Sequence, residues 1–294
     1  MEANPARPPS ADAALTTSPL NTPLVGQHLT ICHLYAKSMN IYGDRGNVIA
    51  LTERARWRGI EVEVRGFGLG QEPDFADVDI FFFGGGQDKE QVSVSAHLQG
   101  PTGAAIRSAV EGGAAALSIC GGYQLLGRYF KTGTGDLLPG IGLFDAYTEA
   151  GTRRFIGDVI VECELPADPL AVVPSPAAGS IKHTLVGFEN HSGRTFLGSG
   201  CVPMGRSIVG CGNNGDDGFE GARYLAAFGC YLHGSLLPKN PWLTDYLIRA
   251  GLRRRLGRAV ELPALDDSLE DQAHQAVIDR IRRRGRVSSA IRSK

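Results

Sequence analysis

The chain lacks any apolar run that approaches the roughly 18 residues needed to cross a membrane as a helix. Its first 24 residues contain five prolines but no apolar stretch of the kind that forms the core of a secretory signal. The sequence therefore predicts a cytoplasmic protein. Residues 1–24, rich in Ala, Pro, Ser and Thr, are expected to form a disordered extension.

An excess of charge of either sign is also missing. The 294 residues include 30 Lys and Arg against 31 Asp and Glu, a formal net charge of -1. This balance disfavours wholesale binding to nucleic acid or to an anionic membrane. The exception is local, because residues 249–294 carry 12 basic and 6 acidic side chains. Two interpretations stay open for this stretch, a solvated helix face or a docking surface for a partner.

Motifs for metal, redox and nucleotide chemistry are absent too. The six cysteines include no CxxC pair, so neither a zinc ribbon nor a redox dithiol is expected, and we predict no bound metal. No lysine follows a glycine, as the P-loop requires, and no GxGxxG opens a helix after a strand. We therefore predict no cofactor in this chain and no ATP chemistry of its own.

Short apolar strands alternate with helical segments through the first half of the chain. Buried strands are predicted at three places: residues 29–34, 79–83 and 115–119. Helices are predicted over residues 47–58, with Asp44 or Asn47 as the N-cap, and over residues 102–112. This order predicts an α/β fold of the flavodoxin or Rossmann type, in which helices cover both faces of a mostly parallel central sheet.

The second half of the sequence changes character. Alternating apolar and polar residues predict further strands at three places: residues 159–163, 181–188 and 224–231. Residues 165–180 contain four prolines and are expected to form a loop. Helices are predicted over residues 241–255 and 273–284. We therefore divide the chain into the N-terminal extension, one domain over residues 25–250 and a basic helical tail over residues 251–294.

A candidate nucleophile stands at the end of the third buried strand. Cys120 is followed by Gly121 and Gly122, a sharp turn that would project the side chain above the sheet. The helix expected over residues 123–130 would place the positive end of its dipole beneath the sulfur and favour the thiolate. The amide of Gly121 is placed to donate to an oxyanion. The alternative is a buried structural cysteine before a glycine turn.

A thiol nucleophile needs a base, and two of the seven histidines are candidates. His233 follows an apolar strand and precedes Gly234, so it also stands at a strand end, where functional groups gather. His191 is the rival. From the residues alone, a structural role fits His233 as well as a catalytic one does.

These segments resemble the class I glutamine amidotransferases, whose C-x-G-x-Q signature is matched by CGGYQ at residues 120–124. The resemblance is closer still to the free-standing GatD-type members, and it extends from about residue 29 to residue 246. It rests on further segments that occur in the same order: NIYGDRGN (40–47), GGGQD (84–88), GFENH (187–191), GNNG (212–215), YLHG (231–234) and LPKN (237–240).

The resemblance implies catalytic roles for several of these residues. Cys120 would attack the side-chain amide of L-glutamine, and His233 would activate the thiol and then protonate the departing ammonia. Gly85 and Gly121 would form the oxyanion hole.

The resemblance also implies residues that bind the substrate. Arg154 matches the arginine that holds glutamine, because a guanidinium fork suits an α-carboxylate. The neighbouring Arg153 leaves this register open. Gln124 is expected to line the pocket.

One position departs from the family pattern. Most class I members carry His-x-Glu, whose glutamate orients the histidine, but the third residue here is Ser235. The resemblance implies that an acidic residue of a partner subunit fills this role. That partner would be a MurT-like Mur ligase, which forms a heterodimer with the glutaminase and binds ATP and Mg²⁺.

The resemblance therefore predicts the glutaminase subunit of a lipid II isoglutaminyl synthase. It would release ammonia through a Cys120 thioester, and the ligase would use that ammonia to amidate the D-glutamate α-carboxyl of the lipid II stem peptide in peptidoglycan synthesis. Two alternatives stay open. One is a glutaminase that feeds another amidation, such as the cobyric acid type, and the other is a non-catalytic partner of a ligase.

Overall fold

The computed structural model describes residues 24–41, 43–167 and 180–292. Within these ranges the strands are β1 (His28–Leu34), β2 (Glu61–Phe67), β3 (Ile80–Phe83), β4 (Ala115–Ile119), β5 (Tyr129–Lys131), β6 (Leu137–Pro139), β7 (Ala146–Pro166), β8 (Ser180–Leu197), β9 (Gly205–Val209), β10 (Phe219–Glu220), β11 (Ala222–Tyr224) and β12 (Ala227–Cys230). The helices are α1 (Arg45–Arg56), α2 (Asp88–Leu98), α3 (Pro101–Glu111), α4 (Gly121–Leu126), α5 (Pro241–Leu256) and α6 (Ser268–Arg292), with a 3-10 turn at Leu237–Lys239.

The central sheet has the strand order β11-β12-β4-β3-β1-β2, and every neighbouring pair except β11–β12 is parallel. Successive side chains of a strand point to opposite faces. Ile80 and Phe82 of β3 accordingly pack in a core with α1 and α5. Phe81 and Phe83 pack in the core on the other face, with α2, α3 and α4. The predicted α/β fold with a mostly parallel sheet covered on both faces is confirmed.

A second sheet has the order β10-β9-β7-β5-β6, with β8 paired to β7. The long antiparallel pair β7–β8 changes register between Ala150 and Phe155. The sequence predicts strands in this half of the chain but not their separation into a second sheet. The two sheets meet where the His233 amide donates to the Phe188 carbonyl oxygen at 2.7 Å. This contact holds β8 against the end of β12.

Several sequence-based boundaries differ from the structure. The sequence predicts a helix over residues 123–130, but α4 ends at Leu126 and the chain turns into β5. Helix α2 has no counterpart in the prediction, because polar residues dominate it and leave a weak apolar stripe. The predicted loop at 165–180 is shortened by β7 and β8 at its ends, and residues 168–179 lie outside the described chain.

The first described residues and the last two helices pack against the rest of the described chain. Residues 1–23 of the predicted disordered extension lie outside the described residues, but Leu24 is buried in the core. Helix α5 crosses residue 250, so the expected start of the tail falls within a helix. Helix α6 packs on the second sheet, where Ile278 and Ile281 form a small apolar cluster with residues of β7 and β8. No helix among the described residues is both long and apolar enough to cross a membrane.

Buried arginines fasten α1 to α5 and to the segment before α6. The side chain of Arg54 is 4% exposed, and its Nε and Nη1 lie 2.8 Å and 2.5 Å from carboxylate oxygens of Asp245 and Asp267. Arg58 Nη2 lies 2.6 Å from the second carboxylate oxygen of Asp245. Buried guanidinium groups are tolerated only when carboxylates compensate their charge. Asp245 therefore serves two of them at once.

Replacing Asp245 by Ala should lower the free energy of unfolding by about 3 kcal/mol, because two buried cations lose a shared partner. Urea denaturation of the purified chain measures this. Glu53→Ala, which breaks the exposed pair of Glu53 with Arg56 at 3.1 Å, is the matched control and should cost less than about 1 kcal/mol. Equal losses of unfolding free energy in the two variants would show that burial does not strengthen the ion pairs of Asp245 with the two arginines.

Candidate active site

Four loops meet at the carboxyl edge of the central sheet. The strands β1, β3, β4 and β12 are parallel, so the residues that follow them emerge on the same side. These loops carry Asp44, Gly85, Cys120 and His233. The topology thus brings together residues that lie far apart in the sequence.

Cys120 occupies the turn between β4 and α4. Its φ of 51° is in the left-handed region, which residues other than glycine rarely adopt. Its amide donates to the Cys230 carbonyl oxygen at 2.9 Å, and its own carbonyl accepts from the Gln124 amide at 2.9 Å. A Cβ added to Gly122 would lie 2.5 Å from the Phe83 carbonyl oxygen, so only glycine fits there. The turn has the strained strand–cysteine–helix geometry that the sequence predicts.

His233 is buried, with 1% of its surface exposed, at the end of the strand next to Cys120. Burial by itself lowers the pKa of His233. Interactions with the Asp44 carboxylate and the Cys120 sulfur outweigh burial and raise the pKa to about 9. The imidazolium form is therefore stabilised beside the sulfur, where it can protonate a departing amine.

His191, the rival base, lies in a different setting. Its Nδ1 donates to the Gly193 carbonyl oxygen at 2.9 Å, since a carbonyl can only accept. Its ring stacks on Tyr231 with the centroids 3.6 Å apart. Burial is the main cause that lowers the pKa of His191 to about 3. A histidine that is this weakly basic is a poor acceptor for a thiol proton, so the geometry favours His233 as the base.

A cavity of about 420 Å³ opens beside Cys120. Its walls come from the loop after β3, from α4 and from the β7–β8 pair, and most of the side chains are polar. They are Ile41, Gly86, Gln87, Lys89, Gln91, Cys120, Gln124, Phe130, Arg154, Asn190, His191, Ser192 and Gly193. Donors and acceptors around a small cavity suit a small polar ligand.

Two of the predicted binding residues line this cavity. Arg154 lies in the register shift of β7, where its Nε donates to Asn190 Oδ1 at 2.6 Å and its Nη2 donates to the Asn190 carbonyl oxygen at 3.3 Å. Arg153 instead approaches the ring of Phe155, with its Cζ 5.8 Å from the centroid. Gln124 is 5% exposed and donates to the Tyr231 hydroxyl at 3.2 Å. The structure thus places Arg154 and Gln124 on the cavity wall.

The two predicted oxyanion donors differ in their surroundings. Gly121 begins α4, so its amide has no acceptor within the helix. The Gly85 amide donates to Asp44 Oδ2 at 2.7 Å. A Cβ on Gly85 would lie 3.4 Å from the Cys120 Cβ, which shows how closely this peptide passes the nucleophile. The role of the Gly121 amide as an oxyanion donor stays a prediction, which this geometry permits. The Gly85 amide could take that role only if its hydrogen bond to Asp44 were broken.

Sequence reasoning missed Asp44 as a site residue. The sequence predicts Asp44 or Asn47 as the N-cap of α1, and Asp44 does occupy that position, but its side chain makes no capping hydrogen bond. Its carboxylate is fully buried and points into the site, with Oδ1 3.9 Å from Nδ1 of His233. The only signal for Asp44 in the sequence is its place within the NIYGDRGN segment.

Comparison with known proteins agrees with this geometry. Residues 30–241 match the CobB/CobQ-like glutamine amidotransferase domain. The chain is 40% identical over 255 residues to the lipid II isoglutaminyl synthase (glutamine-hydrolyzing) subunit GatD of Staphylococcus aureus strain N315, covering 87% of this chain and 97% of that protein. The subunit of the same name from Streptococcus pneumoniae strain R6 is 36% identical over 252 residues, covering 85% of this chain and 91% of that protein.

A solved structure, that of PurLQS from Thermotoga maritima, superimposes with a TM-score of 0.50 at 17% identity over 78% of this chain and 99% of that chain, which shows a likeness of fold alone. The α/β fold and the match to the family model define the class as a glutamine amidotransferase domain. The chain belongs to the CobB/CobQ-like glutamine amidotransferase family. Within that family the two GatD subunits match it over nearly their whole length.

Arg154→Ala should lower kcat/KM for glutamine by about 10- to 100-fold, because the charge-assisted hydrogen bonds of a guanidinium to a carboxylate contribute about 1.5–3 kcal/mol. Release of glutamate from glutamine measures the effect. Arg153→Ala removes the same charge one residue away from the cavity wall and should change kcat/KM far less. Equal effects of the two changes would show that neither arginine binds the α-carboxylate of glutamine specifically.

Proposed function

We propose that the chain is the glutaminase subunit of a lipid II isoglutaminyl synthase. The observation that carries the proposal is Cys120 on a strained turn, beside a buried His233 whose charged form is stabilised, at the wall of a polar cavity that also contains Arg154. The printed names of the two GatD relatives support the same assignment.

In the proposed reaction, L-glutamine binds with its α-carboxylate at Arg154 and its side-chain amide above Cys120. The thiolate attacks the amide carbon, and the Gly121 amide donates to the oxyanion that forms. His233 gives its proton to the amide nitrogen, the carbon–nitrogen bond breaks and ammonia leaves. The product on the enzyme is a γ-glutamyl thioester of Cys120.

Water resolves this intermediate. His233, now neutral, takes a proton from the water as the water oxygen attacks the thioester carbon. The carbon–sulfur bond breaks, so glutamate leaves and the thiolate–imidazolium pair is restored. One glutamine and one water thus yield one glutamate and one ammonia.

The ammonia is proposed to pass to a MurT-like Mur ligase in a heterodimer with this chain. That subunit would bind ATP and Mg²⁺ and activate the α-carboxyl of D-glutamate in the lipid II stem peptide. We place the reaction at the cytoplasmic face of the membrane, because the acceptor is linked to a lipid. This chain would reach that acceptor only through its partner subunit. The absence of a P-loop signature from the sequence supports a division of labour between two chains.

The glutamine-like electrophile diazo-oxo-norleucine should label Cys120, because the thiolate of Cys120 is positioned to attack the carbonyl group at the end of a glutamine side chain. Mass spectrometry of the digested complex locates the label. Cys120→Ser should abolish amidation of lipid II with glutamine but retain amidation with added ammonium, because the ligase step needs only ammonia.

Cys211 is the matched control, since it and Cys120 are the partly exposed cysteines while Cys32, Cys163, Cys201 and Cys230 are buried. Cys211→Ser should retain both labelling and glutamine-dependent amidation. Labelling at Cys211 with Cys120 left free, or glutamine-dependent activity in Cys120→Ser, would overturn the assignment of the nucleophile.

A further inference from the structure

Gln91 is a buried polar residue in the wall of the Cys120 cavity, and the reaction proposed above gives it no role. It lies near the start of α2 and is 2% exposed. Its side-chain nitrogen, Nε2, donates to the Gly86 carbonyl oxygen at 3.2 Å. Because a carbonyl oxygen only accepts hydrogen bonds, this contact identifies the end of the Gln91 amide that carries the nitrogen. The orientation of the amide is therefore fixed.

The oxygen at the other end of this amide, Oε1, is buried and accepts no hydrogen bond from a described residue. A buried acceptor without a donor costs free energy, so an unpaired oxygen in a cavity wall indicates a ligand that supplies the donor. The neighbouring thioether of Met39 has no donor to offer. A Cβ added to Gly121 would lie 3.0 Å from both the Met39 methyl group and Gln91 Nε2. The Gln91 amide thus packs against the residue that follows the nucleophile.

The position of Gln91 determines which part of glutamine it meets. Contact with Gly121 places the Gln91 amide at the Cys120 end of the cavity, whereas Arg154 lies on the β7–β8 wall beside Asn190. In the proposed reaction, the α-carboxylate of glutamine lies at Arg154 and its carboxamide lies above Cys120. The donor that Gln91 meets is then the NH₂ of the substrate carboxamide rather than the α-ammonium group.

We propose that Gln91 is a specificity-determining residue, whose Oε1 accepts a hydrogen bond from the carboxamide nitrogen of the substrate. The inference rests on the glutaminase function proposed above. The carboxamide of glutamine and the side-chain carboxylate of glutamate have nearly the same shape, but only the carboxamide carries N–H donors. An acceptor at this point favours the substrate and opposes the acceptor-only carboxylate of the product, which helps glutamate to leave.

The same contact serves the step in which ammonia departs. Attack by the Cys120 sulfur forms the carbon–sulfur bond, and His233 then transfers its proton to the nitrogen, so the carbon–nitrogen bond breaks. The nitrogen becomes positively charged before it leaves, and a hydrogen bond from a charged donor is stronger than one from a neutral amide. We therefore expect Gln91 to contribute to kcat as well as to the binding of glutamine.

A substrate without N–H donors at its reacting end tests the proposal. Glutamate γ-methyl ester keeps the α-ammonium and α-carboxylate groups of glutamine but carries OCH₃ in place of NH₂. The Cys120 sulfur attacks the ester carbon, methanol leaves with the proton of His233, and water releases glutamate from the same thioester. The ester and the amide thus differ in the leaving group, which is the part that Gln91 is proposed to contact.

Gln91→Met replaces the amide by an apolar chain of similar length. In the complex with the ligase subunit, kcat/KM for glutamine should fall by about 10-fold, whereas kcat/KM for the ester should change by less than about threefold. Inhibition by glutamate should tighten by about threefold or more, because the oxygen that opposes its side-chain carboxylate is gone. A partly unfolded variant would lower both kcat/KM values equally, so their ratio reports the contact with the leaving group.

Gln99→Met is the matched control. Gln99 caps the other end of α2, where its Nε2 donates to the Pro139 carbonyl oxygen at 3.0 Å on the exposed surface. This variant should leave both kcat/KM values and the inhibition by glutamate close to those of the wild type, because the residue lies outside the cavity wall.

Equal losses with glutamine and with the ester in Gln91→Met would overturn the proposal, because they would assign Gln91 to the α-ammonium group or to support of the loop at Gly86. Unchanged kcat/KM for glutamine in that variant would overturn it as well. A wild-type complex that hydrolyses neither glutamine nor the ester would instead refute the glutaminase function itself.

Discussion

The direction of the strands in the central sheet is the constraint on which the site depends. Because β1, β3, β4 and β12 run parallel, their carboxyl ends converge on one edge, and the loops that follow them share a small volume. Apolar side chains on both faces, covered by helices, hold this arrangement fixed. The polar edge is therefore built on a rigid apolar base, as a catalytic site requires.

The glycines of the site let neighbouring segments of the chain approach each other closely. Gly122 packs against the carbonyl groups that end β3, and Gly85 passes within van der Waals distance of the Cys120 side chain. The positive φ of Cys120 is a local cost, offset by the hydrogen bonds that join it to β12 and to α4. Strain and crowding here have a consequence for chemistry, because the turn places Cys120 at the wall of the cavity.

Two sets of buried charges among the described residues have different uses. Asp245 neutralises buried arginines and joins helices. Asp44 and His233 are buried as well, yet their carboxylate–imidazole contact is long and lies beside a nucleophile. The short bidentate contacts of the first group favour a fixed structure, whereas the long contact of the second leaves room for a proton and a substrate to change it.

By itself, the sequence determined the alternation of buried strands and helices, the glycine turn after Cys120, and the set of residues that its family resemblance marked as chemical. These are local properties, since apolar period, turn residues and motifs are read within a few positions. Only the tertiary structure decided that Arg154 rather than Arg153 lines the cavity, that Gly85 is bonded to Asp44, and that Asp44 faces His233. Those contacts join residues from distant parts of the chain, and they follow from strand order and loop packing, which no local pattern encodes.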